Sequence, residues 1–285
     1  MRKKGQFSTI LLFIVFFAGL SLLLYPTLSD YVNSMHQTVA IAAYSEQVAA
    51  IDKEDYAAYW QAAMDFNRGI QDRRNQFVLS DEESTRYYDL LNLSGTGIMG
   101  YIEIPAIEIA LPVYHGTSDD VLQVAVGHLD WTSLPVGGKS THSVLSGHRG
   151  LPSAKLFTHL DQLVVGDVFV LRVLDEVMTY EVDQVLIVKP DETDALKIEN
   201  GKDYCTLVTC TPYGINTHRL LVRGHRIENA EEALTVHITS EAIQIEPMLV
   251  SSVVGIPLLM LSMAAASAAS SGRRKRSAES RRKRR

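Results

Sequence analysis

The chain has 285 residues, 27 Lys and Arg against 33 Asp and Glu, and a formal charge of −6, which fits one ordinary domain with extra segments. The charge is unevenly placed: the last thirteen residues hold nine Lys or Arg and one Glu, Arg2, Lys3 and Lys4 add three more, and residues 26–250 hold 15 basic and 32 acidic groups. A middle segment with a balance of about −17 lacks the basic face that nucleic-acid binding requires.

The N-terminus begins with the basic triplet and continues into an uncharged run, residues 5–29, whose apolar heart is residues 7–25. About 20 apolar residues cross a bilayer as a helix. A cleavable signal peptide is the rival reading, but the following Leu24-Tyr-Pro-Thr-Leu-Ser lacks small residues at an A-x-A-like site. An uncleaved anchor over residues 1–25 is therefore expected. Residues 26–97 read as a helical arm followed by a polar, irregular segment. Residues 27–70 should form two helices broken near residues 50–52, with Asp52 as a cap and Glu54 and Asp55 in the first turn. Ser80 and Glu83 make a capping box that should open a short helix reaching Leu91.

From Ile98 the pattern changes to short β runs separated by Gly, Pro and Asp, at residues 98–104, 108–114, 142–146, 168–173, 179–189, 204–210 and 217–227. Such a series suggests a sandwich or a barrel. Two helical pieces should interrupt it, at residues 118–126 and 153–160. After a linker, residues 231–247, a second apolar run spans residues 248–270, and a basic tail fills residues 271–285. Lys and Arg flanks stay cytoplasmic, so both ends should lie inside and the segment between the two apolar runs outside the cell.

The richest stretch is residues 206–224. It reads as a strand, a turn carrying Pro212, Gly214 and Asn216, and a return strand. Side chains alternate faces along a strand, so Thr206, Val208 and Cys210 share one face, as do Arg219, Leu221 and Arg223. Antiparallel pairing would bring the Cys210 thiol beside the Arg219 guanidinium at a sheet rim. A nearby cation favours the thiolate, which is the nucleophile, and a guanidinium can hold the oxygen that becomes negative when a carbonyl is attacked. The plainer alternative is a packed core cysteine and a surface arginine. A disulfide between Cys205 and Cys210 is disfavoured, because five residues of extended strand separate them by about 16 Å and a bridge needs Cα atoms within about 7 Å.

Thr206-Leu-Val-Thr-Cys210 resembles the TLxTC motif of sortases, the cysteine transpeptidases of Gram-positive cell surfaces, and the following Thr-Pro-Tyr-Gly-Ile-Asn-Thr-His-Arg219 resembles their pilin-polymerising branch, class C. The resemblance covers residues 97–226. It implies a mostly β fold: a closed eight-stranded barrel over residues 98–230, with short helices, an N-terminal helical arm and transmembrane helices at the ends. It implies Cys210 as nucleophile, Arg219 as its transition-state partner, Thr206 and Thr209 as substrate-binding residues, and a His upstream. Among nine histidines, His148 stands out in Ser146-Gly-His-Arg-Gly150, directly after a β run with glycines on both sides. A His there could serve as acid to a leaving amine and base to an incoming one. His128 reads as structural, and Asp130 or Asp167 could orient an imidazole, though no spacing selects either.

Class C sortases carry a lid anchored by Asp-Pro-Phe or Asp-Pro-Trp, and this chain has no such tripeptide; only Phe77 offers an aromatic there, as lid plug or packing residue. The expected substrates are pilins or surface proteins bearing an LPxTG-like signal, the expected acceptor a Lys amine of the next pilin. A housekeeping sortase using peptidoglycan, a non-catalytic adaptor and a plain cysteine protease are the alternatives. No HExxH, paired CxxC, EF-hand loop or Gly-rich phosphate loop occurs, so neither metal nor cofactor is expected. The acidic groups at residues 81–83 and 191–194 could hold Ca²⁺ but fit a solvated surface better.

Overall fold

Alternating apolar residues become strands that close on one another. The computed structural model describes residues 2–71, 73, 76–93, 95–229 and 259. Eight strands form a closed barrel: β1 (Ile98–Ile104), β2 (Ile109–His115), β3 (Val126–His128), β4 (Thr141–Ser146), β5 (Val168–Val173), β6 (Glu176–Val188), β7 (Asp203–Thr211) and β8 (His218–Arg226). Their order around the barrel is β1-β2-β3-β4-β7-β8-β6-β5. Closure leaves no unpaired edge. Most pairs are antiparallel, but β2 runs parallel to β3 and β4 parallel to β7.

Alternation sorts the side chains into two sets. One set, including Leu145, Phe169, Tyr180, Cys205, Leu207, Leu220 and Val222, fills the main core. Its opposite on the same strands, Val144, Val208 and Leu221, forms a second apolar cluster with Leu196, closed over by Leu129, Trp131, Leu186, Val188 and Ala195. The β6–β7 connection, with a short 3-10 turn at Asp194–Leu196, thus lies across the outer face of the barrel.

Before the barrel come α1 (Arg2–Ala50), α2 (Lys53–Gln71) and α3 (Asp81–Asp89). The expected break between the first two is present, and Asp52 Oδ1 accepts hydrogen bonds from the backbone N–H groups of Glu54 (3.0 Å) and Asp55 (2.9 Å). The capping box at α3 forms as expected: the Glu83 N–H donates to Ser80 Oγ and the Ser80 N–H to Glu83 Oε2. The apolar run and the first part of the arm form one continuous helix, with Pro26 inside it. That helix is long and apolar enough to cross a membrane, with a mean hydropathy of 2.0 in its apolar window. The linker, second apolar run and basic tail fall outside the described residues, apart from Leu259.

Two expectations are corrected. The helix expected at residues 153–160 does not form; Leu151 and Ala154 make an isolated β-bridge and Leu156 sits at φ +40°, a left-handed conformation that no α-helix tolerates. The helix expected at residues 118–126 is only α4 (Asp119–Leu122). Its end is instead β3, which pairs with β2 through Val113 and Val126 and with β4 through Ser146 and Gly127.

Helix α1 is fastened to the barrel wall by Ile41 and Tyr44, which pack on Ile98 and Tyr101. Tyr44 Oη donates to the Met99 carbonyl (3.0 Å) and accepts from the Leu174 N–H (2.7 Å). Substituting Tyr44→Phe leaves that buried N–H without a partner and should lower stability by about 1–3 kcal/mol. Thermal or denaturant unfolding of the two proteins would measure it, and an unchanged midpoint would show that the helix is held otherwise.

Candidate active site

Parallel pairing of β4 with β7 aligns Val144 with Thr206 and Ser146 with Val208. The alignment continues past the end of β4, where the Gly147 N–H donates to the Val208 carbonyl (3.1 Å). Position 148 is therefore brought level with position 210 on the neighbouring strand, one strand spacing of about 4.8 Å away. On its other side β7 pairs with β8, and Cys210 lies directly opposite Arg219. Alternation along β7 and β8 places Cys210 and Arg219 on the outer face, in line with Val208 and Leu221, and His148 follows two residues after the end of β4. Cys210, Arg219 and the loop that carries His148 all lie at the same end of β4, β7 and β8, the rim. Each is partly exposed, unlike the fully enclosed Cys205.

Local chemistry explains why the rim keeps its shape. A Cβ at Gly147 would come within 2.7 Å of the Phe157 ring, so only glycine lets the loop pass. Gly150 has φ +76°, and a Cβ there would meet the Tyr213 ring at 2.8 Å. Between these glycines, the His148 carbonyl accepts from the Phe157 N–H (3.1 Å). Arg149, quoted from the sequence only as part of the Gly-His-Arg-Gly run, proves to be a clamp. Its Nη1 donates to Thr211 Oγ1 (3.2 Å) and its Nη2 to Asp161 Oδ2 (2.7 Å). It thus ties the His148 loop to the residue after Cys210. Only the fold reveals this, because Asp161 and Thr211 lie far from Arg149 along the chain.

Thr209 is buried and donates from Oγ1 to the Gly147 carbonyl (2.7 Å), stitching the strand of Cys210 to the loop of His148. Thr206 is also buried, four residues before Cys210 on β7, and its hydroxyl meets His142 Nε2 at 2.7 Å. Arg219 Nη1 donates to the carbonyls of Asn216 (3.3 Å) and His218 (3.1 Å), which holds the guanidinium against the turn. His218 turns its Nδ1 to Thr217 Oγ1 (3.0 Å). Asp167 Oδ2 accepts from the Val164 N–H (2.8 Å), so it fixes a turn.

Phe77 packs edge-on against Trp131, ring centroids 5.1 Å apart. Its neighbour Gln76 donates to the Leu196 carbonyl (3.2 Å) and accepts from the Ile198 N–H (3.1 Å). The segment is therefore laid on the walls of the outer apolar cluster. Among the described residues, no group of three or more His, Cys, Asp or Glu is placed to hold a metal ion.

Two other histidines are structural. His128 is fully buried; its Nε2 donates to the Ser133 carbonyl (2.8 Å) and its Nδ1 accepts from Tyr87 Oη (3.0 Å). His142 donates from Nδ1 to the Lys197 carbonyl (3.0 Å) and accepts from Thr206 at Nε2. Burial disfavours the imidazolium in both, pulling His128 down to about 3 and His142 to about 4.

A family model described as "Sortase domain" matches residues 102–227. Sortase C1 from Streptococcus agalactiae is 51% identical, with a TM-score of 0.64 over 67% of this chain and 99% of that one. Sortase C from Streptococcus pneumoniae is 44% identical, with a TM-score of 0.61 over 67% of this chain and 97% of that one. Sortase D of Bacillus subtilis is 32% identical over 131 residues, 45% of this chain and 63% of that protein. The barrel with its rim cysteine defines a cysteine-transpeptidase scaffold. The chain belongs to the sortase family, and the solved structures it resembles are class C sortases.

The buried histidines set an acid limit. The unfolded chain binds a proton on each below about pH 6.5, while the folded chain resists until about pH 4 at His142 and about pH 3 at His128. The unfolded state thus binds more protons in that window, and stability, complete above pH 6.5, should fall as pH drops. Each histidine contributes up to about 1.4 kcal/mol per pH unit. Melting temperatures between pH 7 and pH 4.5 should show the decline, and His142→Gln should flatten it. A variant as steep as the wild type would place the titration elsewhere.

Proposed function

We propose that the chain is a membrane-anchored pilus-assembly transpeptidase acting on an LPxTG-like sorting signal. The observation that carries the proposal is Cys210 directly opposite Arg219 across β7 and β8, with the loop of His148 leaving the end of the neighbouring β4 and held there by the Gly147 N–H on the Val208 carbonyl. Cys210 Sγ attacks the Thr–Gly carbonyl of the signal. Arg219 stabilises the oxyanion, and His148 gives a proton to the Gly nitrogen as the amide C–N bond breaks. A thioester remains on Cys210. A Lys amine of another pilin subunit then attacks the thioester carbonyl, loses a proton to His148, and expels the thiolate as the C–S bond breaks. The new isopeptide bond extends the polymer.

The apolar outer face below the rim, walled by Trp131, Leu196 and Val188, suits the aliphatic part of a sorting signal. A similar protein, sortase C of Clostridium perfringens (46% identical), has been solved with the C-terminal cell wall sorting motif. Thr209 and Thr206 shape this face from beneath, Thr209 by holding the loop of His148 and Thr206 by holding His142. Phe77, resting on Trp131, acts as the plug of a lid that the substrate displaces. It does so without an Asp-Pro-aromatic anchor. The division of the chain follows: an anchor through residue 25, an arm and lid to residue 97, the catalytic barrel over 98–230, a linker, a second span over 248–270 and a basic tail. Both ends lie in the cytoplasm and the barrel outside, and the acidic middle segment leaves nucleic acid no part.

Three predictions test this mechanism. Cys210→Ala should abolish transfer of a fluorogenic sorting peptide while leaving the melting temperature near that of the wild type; polymer formed by that variant would overturn the nucleophile. With a pilin pair, loss of the acceptor Lys should stop product formation, whereas product with a peptidoglycan amine alone would favour wall anchoring. Arg149→Ala should lower kcat about tenfold with little change in KM, because it displaces His148 without touching substrate. A rise in KM at unchanged kcat would instead mark Arg149 as a binding group.

A further inference from the structure

The contacts of α1 with the barrel follow a strict order along the helix. Asp30 Oδ1 accepts from the Lys155 N–H (2.7 Å), and its carboxylate also pairs with Lys155 Nζ (3.4 Å). Lys155 belongs to the loop that follows His148, so this contact lies at the rim. Further on, Gln37 donates to the Val124 carbonyl (2.7 Å), just before β3, whose Gly127 pairs with Ser146 near the same rim. Tyr44 then reaches Met99 and Leu174, at the opposite end of the barrel. Asp30 and Tyr44 are fourteen residues apart, about 21 Å of helix. The helix therefore runs along the barrel wall with its N-terminal, apolar part on the rim side.

We propose that the rim carrying Cys210, His148 and Arg219 faces the bilayer and rests against it. The proposal uses the reading of α1 as a membrane span. The apolar run ends at Tyr25, and Asp30 lies five residues, about 8 Å, beyond it. That distance is short enough to bring the rim loops to the headgroup layer. Two further features fit a lipid surface. The β7–β8 turn at the rim exposes Tyr213 (61%) and Ile215 (67%). An aromatic with a polar tip suits the membrane interface. On α1 itself, Leu28, Val32, Met35 and Val39 stay exposed at 4-3-4 spacing, one helix face, and carry apolar surface past Tyr25. An enzyme so oriented takes its sorting signal within a few ångströms of the membrane, where a substrate still held in the bilayer presents it. Chain reaching the site from the bulk would have to enter from the side.

The test uses the full-length chain in lipid nanodiscs, with Cys210→Ala as background and an environment-sensitive fluorophore on a single introduced thiol; Cys205 is fully buried and escapes labelling. Labels go at Ile215→Cys on the rim, Asp175→Cys in the β5–β6 turn at the opposite end, and Leu23→Cys in the anchor. Lipids brominated near the headgroup should quench the label at 215 several-fold more than that at 175, and should also quench the label at 23. If 23 is quenched and 215 is not, the orientation is wrong and the anchor stands. If 23 is unquenched, the anchor reading and the orientation fall together. Shielding of 215 from an aqueous quencher without lipid quenching would assign the patch to a protein and overturn the proposal. Transfer chemistry plays no part in the readout, so its failure would be seen separately.

Discussion

Where β4 runs beside β7 decides where chemistry can occur. The two strands are parallel and far apart in sequence, and their register continues into the loop through the hydrogen bond between Gly147 and Val208. Thr209 closes the same seam from the inner side by bonding the Gly147 carbonyl. Remove this register and His148 loses its position relative to Cys210, because a shift of one residue turns every side chain to the other face. The hairpin of β7 and β8 then needs only its own antiparallel register to bring Arg219 opposite Cys210.

Around that seam the molecule separates rigid support from working surface. Beneath the rim, Arg223 stacks on Tyr204 (4.1 Å) and pairs with Asp183 (3.0 Å), while His142 joins Thr206 to the Lys197 carbonyl. These buried and half-buried polar groups satisfy one another, which makes the strands hard to deform. His142 stays neutral there because burial disfavours its charge. At the rim itself the partly exposed thiol, imidazole and guanidinium stand where a peptide can reach them. The apolar cluster of Val144, Val208 and Leu221 lies on the same outer face below the rim.

Much of this could be read in the sequence because it is local. The alternating runs in β1, β5, β7 and β8 need no partner to be seen, and Asp52 and Ser80 announce their helices through side chains that accept N–H groups a few residues ahead. The hairpin of Cys210 and Arg219 is local too. What stayed hidden depends on distant contacts. β3 has three residues, too few for any period, and is a strand only because β2 and β4 flank it. Residues 153–160 carry helical composition, yet the loop must bend back toward His148, and Leu156 takes a left-handed conformation to do so. The clamp by Arg149 joins three separate segments. Thr206 carries the family motif, but its hydroxyl turns out to be bound to His142, a partner no spacing could name.

Disulfide trapping measures the seam directly. In a His148→Cys protein, the new thiol and the native Cys210 would lie on the same face of adjacent strands, within the roughly 7 Å between Cα atoms that a bridge tolerates. Mild oxidation should give one disulfide linking positions 148 and 210 in nearly every molecule, identified by peptide mapping, with Cys205 still reduced in the core. Two thiols that remain free, or a bridge only between separate molecules, would mean that the loop of His148 does not stand beside Cys210, and the mechanism built on their meeting would fail.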